Sequence, residues 1–477
     1  MADTSVYVIA GINFVLTTTS IIYLLKHPRE PQSMISWSLV FIFLPVLGPI
    51  LFFMMGEEKL RRLRLRRRLR RNTPANNAAP NVSQPDPEPS FEIPDFLYGF
   101  IQMATRLSLR RATDGNQVTI YHTGKDSFLA LLDAVSQAKS HVHLEYYIFH
   151  ADETGHQLGN ILIYKAKQGV ECRLLVDFIG CWGRKRWIFL EKLRKAGVEI
   201  GYFLPVVPWK GRVRMNFRNH RKIAVIDGSI GFTGSQNIGD EYVGLSKEFS
   251  IWHDTHLKII GPAVADLQET FINDWLYATK RLLRKSVYYP QLTTQGTQVV
   301  HIVPSGPDTN TKILHHLLFA VISAARRSVH IATPYFVPDN TMLLALEAAA
   351  YRGVEVVILV PSELDMPLTL WAGRSYYRDL LLSGVDIYEY QAGMMHSKVV
   401  IVDDAWGMVG SANMDVRSFR LNFETSVFLY NQELAKQLED NFQSMLVDAK
   451  QVELVDTFHS FGISLREGFA RLISPIL

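Results

Sequence analysis

The sequence predicts an α/β protein of two halves related by a pseudo-twofold axis, each an α/β sandwich with a mixed sheet, behind an N-terminal two-helix transmembrane hairpin. Three observations predict it. The pattern H-x-K-x4-D-x6-G-S-x-N occurs at 220–237 and again at 396–413 with the same gaps. The segments leading to each copy repeat in the same order, as expected when one supersecondary unit is used twice. Before them, Thr4–Leu25 and Gln32–Gly56 are two stretches free of charged residues.

Each of those stretches is about long enough to cross roughly 30 Å of hydrocarbon. No basic region precedes the first, which argues against a cleaved signal peptide. Lys59–Arg71 holds nine basic residues and no acid. It outweighs Lys26 and Arg29 of the short loop, so both chain ends are expected on the cytoplasmic side, with the run as a stop-transfer anchor able to hold anionic headgroups. Asn72–Pro94 is rich in Pro, Asn and Ala without a hydrophobic period and reads as a flexible tether. The expected division is therefore 1–58 for the hairpin, 59–94 for the basic run and tether, 95–290 for the first half and 291–477 for the second.

The chain of 477 residues is long enough for a large buried core. Its net charge of +4 hides the basic run, without which the remainder is acidic. That excludes a nucleic-acid binder built on a basic body. With only Cys172 and Cys181, a disulfide framework is not expected and both read as reduced or buried thiols.

Within the body, Ser140-His-Val-His-Leu-Glu-Tyr-Tyr-Ile-Phe149 corresponds to Arg327-Ser-Val-His-Ile-Ala-Thr-Pro-Tyr-Phe336. Helical segments follow at Leu158–Lys167 and Thr341–Arg352. Next come Gly169-Val-Glu and Gly353-Val-Glu, each opening an apolar strand, and later Gly197-Val-Glu and Gly384-Val-Asp. The order is strand, helix, strand, helix, strand, hairpin.

The hairpin is the motif itself. Residues two apart in a strand face one side, so His220 projects with Lys222, and His396 with Lys398. Ile223–Ile226 and Val399–Val402 are apolar and β-branched, as a buried strand requires. Asp227-Gly228 and Asp403-Asp404 are turn signals, which makes the motif aspartates structural. The returning strand brings Ser235 and Asn237, or Ser411 and Asn413, back towards the His-Lys end. Asp254-Thr and Glu424-Thr each open a later strand and are paired as equivalents. Spacing from the histidine instead points to Glu248, which lies as far after His220 as Glu424 lies after His396; strand context favours Asp254. His253 and His256 would face opposite sides of a strand, so no metal site is expected there, and no cofactor.

The paired motifs resemble those of the phospholipase D superfamily, whose members build one active site from two such copies. Arg29-Glu-Pro31, Trp37, Pro45-Val-Leu-Gly48, Met54-Met-Gly-Glu57, Asn216-Phe-Arg-Asn-His220, Asp240-Glu-Tyr242, Trp252-His-Asp254 and the ending Gly468–Leu477 are similar to bacterial cardiolipin synthases. Ser235 departs from the second glycine often found there. That ending is expected to form a helix packed on the body rather than one docked on the bilayer.

The resemblance implies a phosphatidyltransferase of the inner (cytoplasmic) bacterial membrane. It would pass the phosphatidyl group of one phosphatidylglycerol to another, giving cardiolipin and glycerol. It further implies His220 as nucleophile, His396 as acid and base, a carboxylate on each motif histidine, and Lys222, Lys398, Ser235, Asn237, Ser411 and Asn413 as the positive field and donors around the diester. The competing readings are a membrane-anchored phospholipase D that uses water, a transferase drawing on phosphatidylethanolamine, and a catalytically silent scaffold, which would carry a degraded motif.

Overall fold

A computed structural model describes residues 2–27, 31–44, 46–55, 95–206, 216–246, 251–309, 312–364 and 366–473. The basic run Lys59–Arg71, the tether Asn72–Pro94 and Glu248 lie outside the described residues. Two compact units are distinguished, Met1–Leu60 with Pro205–Phe217, and the remainder, here called the body.

The first unit contains three helices, α1 (Ala2–Lys26), α2 (Pro31–Phe43) and α3 (Leu47–Met55). The second expected span is thus two short helices. Helix α2 ends two residues before Pro45, consistent with the strain proline places on a preceding helical residue. Leu24, Phe41 and Phe52 are buried between the helices, with Phe41 and Phe52 edge-to-face at 5.3 Å. A Cβ on Gly48 would meet the Val40 carbonyl oxygen at 2.7 Å, so glycine is needed where α3 folds back on α2. The outward faces are apolar and exposed, among them Tyr7, Phe14, Ile35 and Phe43. Among the described residues no helix is long and apolar enough to cross a membrane.

The body opens with α4 (Asp95–Ser108) and then runs through one plan twice. The first pass is β1 (Thr113–Thr123), α5 (Gly124–Gln137), β2 (His141–Tyr146), α6 (Glu153–Lys167), β3 (Glu171–Asp177), α7 (Arg184–Lys195), β4 (Glu199–Phe203), β5 (Arg218–Asn219), β6 (Ile223–Ile226), β7 (Ile230–Gly234), β8 (Trp252–Ile260) and α8 (Val264–Thr279). The second is β9 (Gln298–Ser305), α9 (Ile313–Ala324), β10 (Ser328–Ala332), β11 (Phe336–Val337), α10 (Asn340–Tyr351), β12 (Glu355–Pro361), α11 (Pro367–Arg374), α12 (Tyr377–Leu382), β13 (Asp386–Tyr390), β14 (Met394–Met395), β15 (Val399–Val402), β16 (Trp406–Gly410), β17 (Met414–Asp415), α13 (Val416–Arg420), β18 (Asn422–Leu429), α14 (Gln432–Val447), β19 (Ala449–Gln451) and α15 (Phe461–Ile473).

The sheets are mixed, as expected. The first has the order β1-β8-β7-β6-β2-β3-β4, parallel only along β2-β3-β4. The second runs β9-β18-β16-β15-β10-β12-β13-β19, parallel along β10-β12-β13. Strands β1 and β9 join the two edges antiparallel. The repeated Gly-Val pairs are helix stops: Gly169, Gly197, Gly353 and Gly384 all have φ between +82° and +101°, at helix ends where a side chain would be strained. At the other ends, Asp152, Asp339 and Asn431 accept hydrogen bonds from backbone N–H groups as helix N-caps.

A core shared by the halves unites Ile223, Val225 and Leu257 of the first sheet with Val300, Val399 and Val427 of the second. Val264 and Leu267 of α8 and Leu434, Leu438 and Phe442 of α14 belong to it too. Helix α4 packs elsewhere than its place in the sequence suggests. Its Leu97, Ile101 and Ala104 join the outer core of the second half, and Phe100 stacks on Trp406 at 5.3 Å. A boundary at residue 95 gives this helix to the first half, because chain order alone carries no sign of the crossing. Helix α15 lies on the body, with Ala470 buried and Arg466 over the Trp371 ring at 4.3 Å. Cys172 and Cys181 are buried and unpaired with each other.

Both motif turns place two residues at positive φ, Asp227 and Gly228 at +51° and +66°, Asp403 and Asp404 at +54° and +52°. Ser229 N–H donates to Ile226 O and Ala405 N–H to Val402 O, completing turns of the type that suits a twisted hairpin. The Asp227 carboxylate accepts from the backbone N–H groups of Lys139, Ser140 and His141, at 2.8, 2.8 and 2.9 Å. Asp403 does the same for Arg326, Arg327 and Ser328. Each motif aspartate therefore ties its hairpin to the start of the neighbouring strand, at the end remote from the histidine. We expect Asp227→Asn and Asp403→Asn each to lower stability by about 1–3 kcal/mol in thermal unfolding of the solubilised chain, with turnover per folded molecule unchanged.

Candidate active site

Backbone pairing across the halves positions the two histidines. Strand β5 runs parallel to β18, with Arg218 opposite Asn422 and Asn219 opposite Phe423. Strand β14 runs parallel to β8, with Met394 opposite Trp252 and Met395 opposite His253. The His220 N–H then donates to Phe423 O at 2.9 Å, and the His396 N–H to His253 O at 2.7 Å. Each motif histidine is held beside the residue that precedes Glu424 or Asp254 in the other half.

The ring contacts follow. His220 Nδ1 lies 3.1 and 3.0 Å from the two Glu424 carboxylate oxygens. His396 Nδ1 lies 3.3 and 3.2 Å from those of Asp254. This corrects the expectation that Asp254 or Glu248 would serve His220: its carboxylate is Glu424, and Asp254 serves His396. The physical reason is the strand pairing just described, which brings β18 rather than β8 to the His220 backbone.

The serines stand behind the carboxylates. Ser235 Oγ donates to Asp254 and Ser411 Oγ to Glu424, so both hold the acids instead of facing a diester as expected. A third donor comes from two residues earlier on the same strand face: Trp252 Nε1 reaches Asp254 at 3.1 Å, and Asn422 Nδ2 reaches Glu424 at 3.2 Å. Thus each buried carboxylate is surrounded by an imidazole, a hydroxyl and an N–H donor, which offsets the cost of burying its charge.

Lys222 and Lys398 are buried, and each ammonium donates to the carbonyl of its own motif histidine, at 2.8 and 2.7 Å. Burial pushes the Lys222 amine down to about 7, opposed by Glu424 and assisted by Lys398. Burial likewise lowers His220 to about 4, with Glu424 pulling it up and Lys222 pushing it further down. His396 is lowered by burial and by Lys398, against the pull of Asp254. Glu424 and Asp254 are held below their ordinary values because histidine and lysine charges outweigh burial. Each lysine acts on the histidine of the opposite half as well as its own, so the four groups occupy one electrostatic site.

Asn237 and Asn413 are buried at the same seam. Asn237 Oδ1 accepts from the Ile148 N–H at 3.2 Å, and Asn413 Nδ2 donates to Asp415 at 3.2 Å. Asp227 and Asp403 are the motif residues the fold does not bring to this place. Among the described residues, no group of three His, Cys, Asp or Glu side chains could together hold a metal ion.

Several contributors escaped sequence reasoning. Tyr147 sits edge-on to His220 at 5.2 Å, with the Lys222 ammonium 5.7 Å from its ring centre. Trp252 and Tyr242 flank His396 at 5.3 and 6.2 Å. Arg221, between the motif His and Lys, faces the other way. It is buried and donates to Glu424 O at 3.0 Å and Ser305 O at 2.9 Å, and it pairs with Asp274, clamping the two halves. Beside it burial holds the Glu145 carboxyl well above the usual range, with Asp274 adding to the rise. Arg221 lies in the run Arg218-Asn-His-Arg-Lys222, where its charge does not single it out. Nothing local marks Tyr147.

Comparison with known proteins shows what the chain as a whole is similar to. The family described as "Cardiolipin synthase, PLD-like domain" matches residues 131–275 and 318–446, and "Phospholipase_D-nuclease N-terminal" matches 15–57. A cardiolipin synthase of Geobacillus sp. (strain WCH70) is 40% identical over 457 residues, covering 94% of this chain and 90% of that protein. The major cardiolipin synthase of Bacillus subtilis (strain 168) is 36% identical over 471 residues, covering 96% of each. The crystal structure of phosphatidylserine synthase from Haemophilus influenzae Rd KW20 has a TM-score of 0.62 at 16% identity, over 79% of this chain and 100% of that one, a likeness of fold.

The crosswise arrangement makes each carboxylate the orienting group of the opposite half's imidazole. Glu424→Gln and Asp254→Asn are each expected to lower turnover per folded molecule on the order of 10³-fold and to lower the thermal unfolding temperature as well, because the neutral amide keeps the shape but neither the tautomer nor the charge that three donors face.

Proposed function

Because the chain belongs to the cardiolipin synthase family of phospholipase D-like proteins, we propose that it transfers the phosphatidyl group of one phosphatidylglycerol to the hydroxyl of a second. The observation that carries this reading is the pair of imidazoles, each held at Nδ1 by a carboxylate of the other half, with a buried lysine bonded to the carbonyl of each histidine.

A carboxylate on Nδ1 fixes the tautomer and leaves Nε2 for chemistry. Nε2 of His220 attacks phosphorus, a P–N bond forms, and the P–O bond to glycerol breaks. His396 gives its proton to the departing glycerol oxygen. In the second step it takes the proton of the primary hydroxyl of another phosphatidylglycerol, whose oxygen attacks phosphorus as the P–N bond breaks. The products are cardiolipin and glycerol, and both histidines return to their starting states. Lys222 and Lys398 neutralise the diester, and its negative charge in turn raises the proton affinity of Lys222 and His396 in the complex. Asn237 and Asn413 serve as positioning groups at the same seam.

The exposed apolar faces of α1–α3 and the match of residues 15–57 support an N-terminal membrane hairpin over Thr4–Leu25 and Gln32–Gly56. With Lys59–Arg71 on the cytoplasmic side, the body works at the inner face of a bacterial cell membrane on phospholipid substrates.

The full chain incubated with vesicles of phosphatidylglycerol alone is expected to release cardiolipin and glycerol in equal amounts. His220→Ala and His396→Ala abolish both. Phosphatidic acid as the main product would replace transfer by hydrolysis. With phosphate-labelled lipid, label stays on the His396→Ala protein and is absent from His220→Ala; the reverse pattern would exchange the two roles. The pH profile follows from the signs above. Below about 4 His220 gains a proton and ceases to be a nucleophile. Above about 7 Lys222 loses the charge that receives the diester. The profile of kcat/KM for the free enzyme is therefore expected to fall on both sides of that window, and kcat of the lipid complex to hold to higher pH.

A further inference from the structure

Helix α7 and the loop before it form a surface the mechanism does not use. The helix Arg184–Lys195 carries six basic residues and one acid, Glu191, in twelve positions. Its inner side is Phe189, Leu190 and Leu193, all buried. The opposite side is not simply polar. Ile188 is 62% exposed, one helical turn from both Arg184 and Lys192, and Trp187 beside it is 45% exposed. Trp182 in the preceding loop is 61% exposed and meets Trp187 edge-to-face at 5.9 Å. Arg184 and Lys185 make no ion pair among the described residues. Large aromatic and aliphatic side chains held out in water within a strongly basic surface are costly to maintain for a polar partner, and they match an interface that is apolar below and anionic above.

This surface is fastened to the mouth of the site. Phe178, which packs on Trp182 and Trp187 at 5.3 and 5.8 Å, follows Asp177, whose carboxylate accepts from the Asn219 N–H next to His220. A Cβ on Gly180 would meet the Tyr147 carbonyl oxygen at 2.2 Å, and Tyr147 lies against His220. In the segment that leads into Trp252, which flanks His396, Leu245 and Ile251 are 55% and 42% exposed.

We propose that the Trp182–Trp187–Ile188 surface of helix α7 docks on an anionic phospholipid bilayer, setting the two-histidine mouth at headgroup level. It rests on the reading that the substrate is a phospholipid, and it is a contact of the body in its own right. The aromatic and aliphatic groups enter the boundary between headgroups and acyl chains, about 5–10 Å deep, while Arg184, Lys185 and Lys192 meet lipid phosphates.

The test places one thiol, Ile188→Cys, on the full chain and attaches an environment-sensitive fluorophore. The native thiols Cys172 and Cys181 are buried, and the unsubstituted chain carried through the same labelling corrects for any reaction there. The labelled protein is compared in nanodiscs of phosphatidylglycerol with phosphatidylcholine and in nanodiscs of phosphatidylcholine alone. A blue shift and quenching by spin-labelled lipid in the anionic discs, weakened in the zwitterionic discs and lost with Arg184→Glu and Lys185→Glu together, are expected. Emission unchanged from water in the anionic discs would overturn the proposal, and so would equal quenching in both disc types. The readout needs no turnover: a chain that made phosphatidic acid would refute the transfer reading and leave this one standing, whereas a working synthase with a dry-side label in water would refute this one alone.

Discussion

The architecture depends on two very short parallel pairings that cross between the halves, β5 with β18 and β14 with β8. Each involves two residues per strand, yet each decides which carboxylate meets which histidine. Neither half contains a complete site. Duplication alone would have produced two sheets with two identical motifs. The crossing makes the active centre a property of their junction, and the clamp of Arg221 onto Glu424 O and Ser305 O keeps the junction in register.

Burial is the second constraint, and it explains why so many groups are recruited to so small a place. Two lysines, two histidines and two carboxylates removed from water would be strongly unfavourable singly. Here each carboxylate meets three donors and each ammonium a carbonyl, so the cost is shared among fixed dipoles. The balance is still incomplete without an anion. The amine of Lys222 is driven down by burial and by its counterpart Lys398, which is the state a bound diester would relieve. A site poised in this way is complementary to negative charge.

The periodic and local features of this arrangement were legible in the sequence; the features set between distant segments were not. Alternation placed His and Lys on one strand face, and Asp-Gly and Asp-Asp marked turns that do adopt two left-handed residues each. The repeated Gly-Val pairs marked helix ends for the same conformational reason. Partner choice was different. Asp254 and Glu248 compete for His220 on spacing or strand context, but the structure answers with Glu424, because chain separation carries no information about which strand edge a neighbouring half offers. A hairpin returns the serines to the histidine end and so predicts that they face the substrate; the third dimension turns them onto the carboxylates. Helix α4 crosses to the second half's core for its apolar face, a choice no local pattern records.

The two halves are equivalent in backbone but not in what they press against their imidazoles. The position of Tyr147 in the first half is held by Pro334 in the second, so the ring set edge-on to His220 and near the Lys222 ammonium has no counterpart at that position, and the phenol near His396, Tyr242, comes from another element. His396 is flanked instead by Trp252, whose indole N–H is spent on Asp254. Glu145, at the place of Ala332, adds a buried acid behind the first motif that the second lacks. Burial lowers both imidazoles, His220 to about 4 against the pull of Glu424, and His396 against the pull of Asp254. An imidazole that stays neutral across the physiological range is suited to attack phosphorus. One whose proton is more easily restored by a nearby diester is suited to give it to a leaving alcohol. The proposal that the first half takes the bond-forming role rests on this asymmetry of surroundings, since the two motifs are alike.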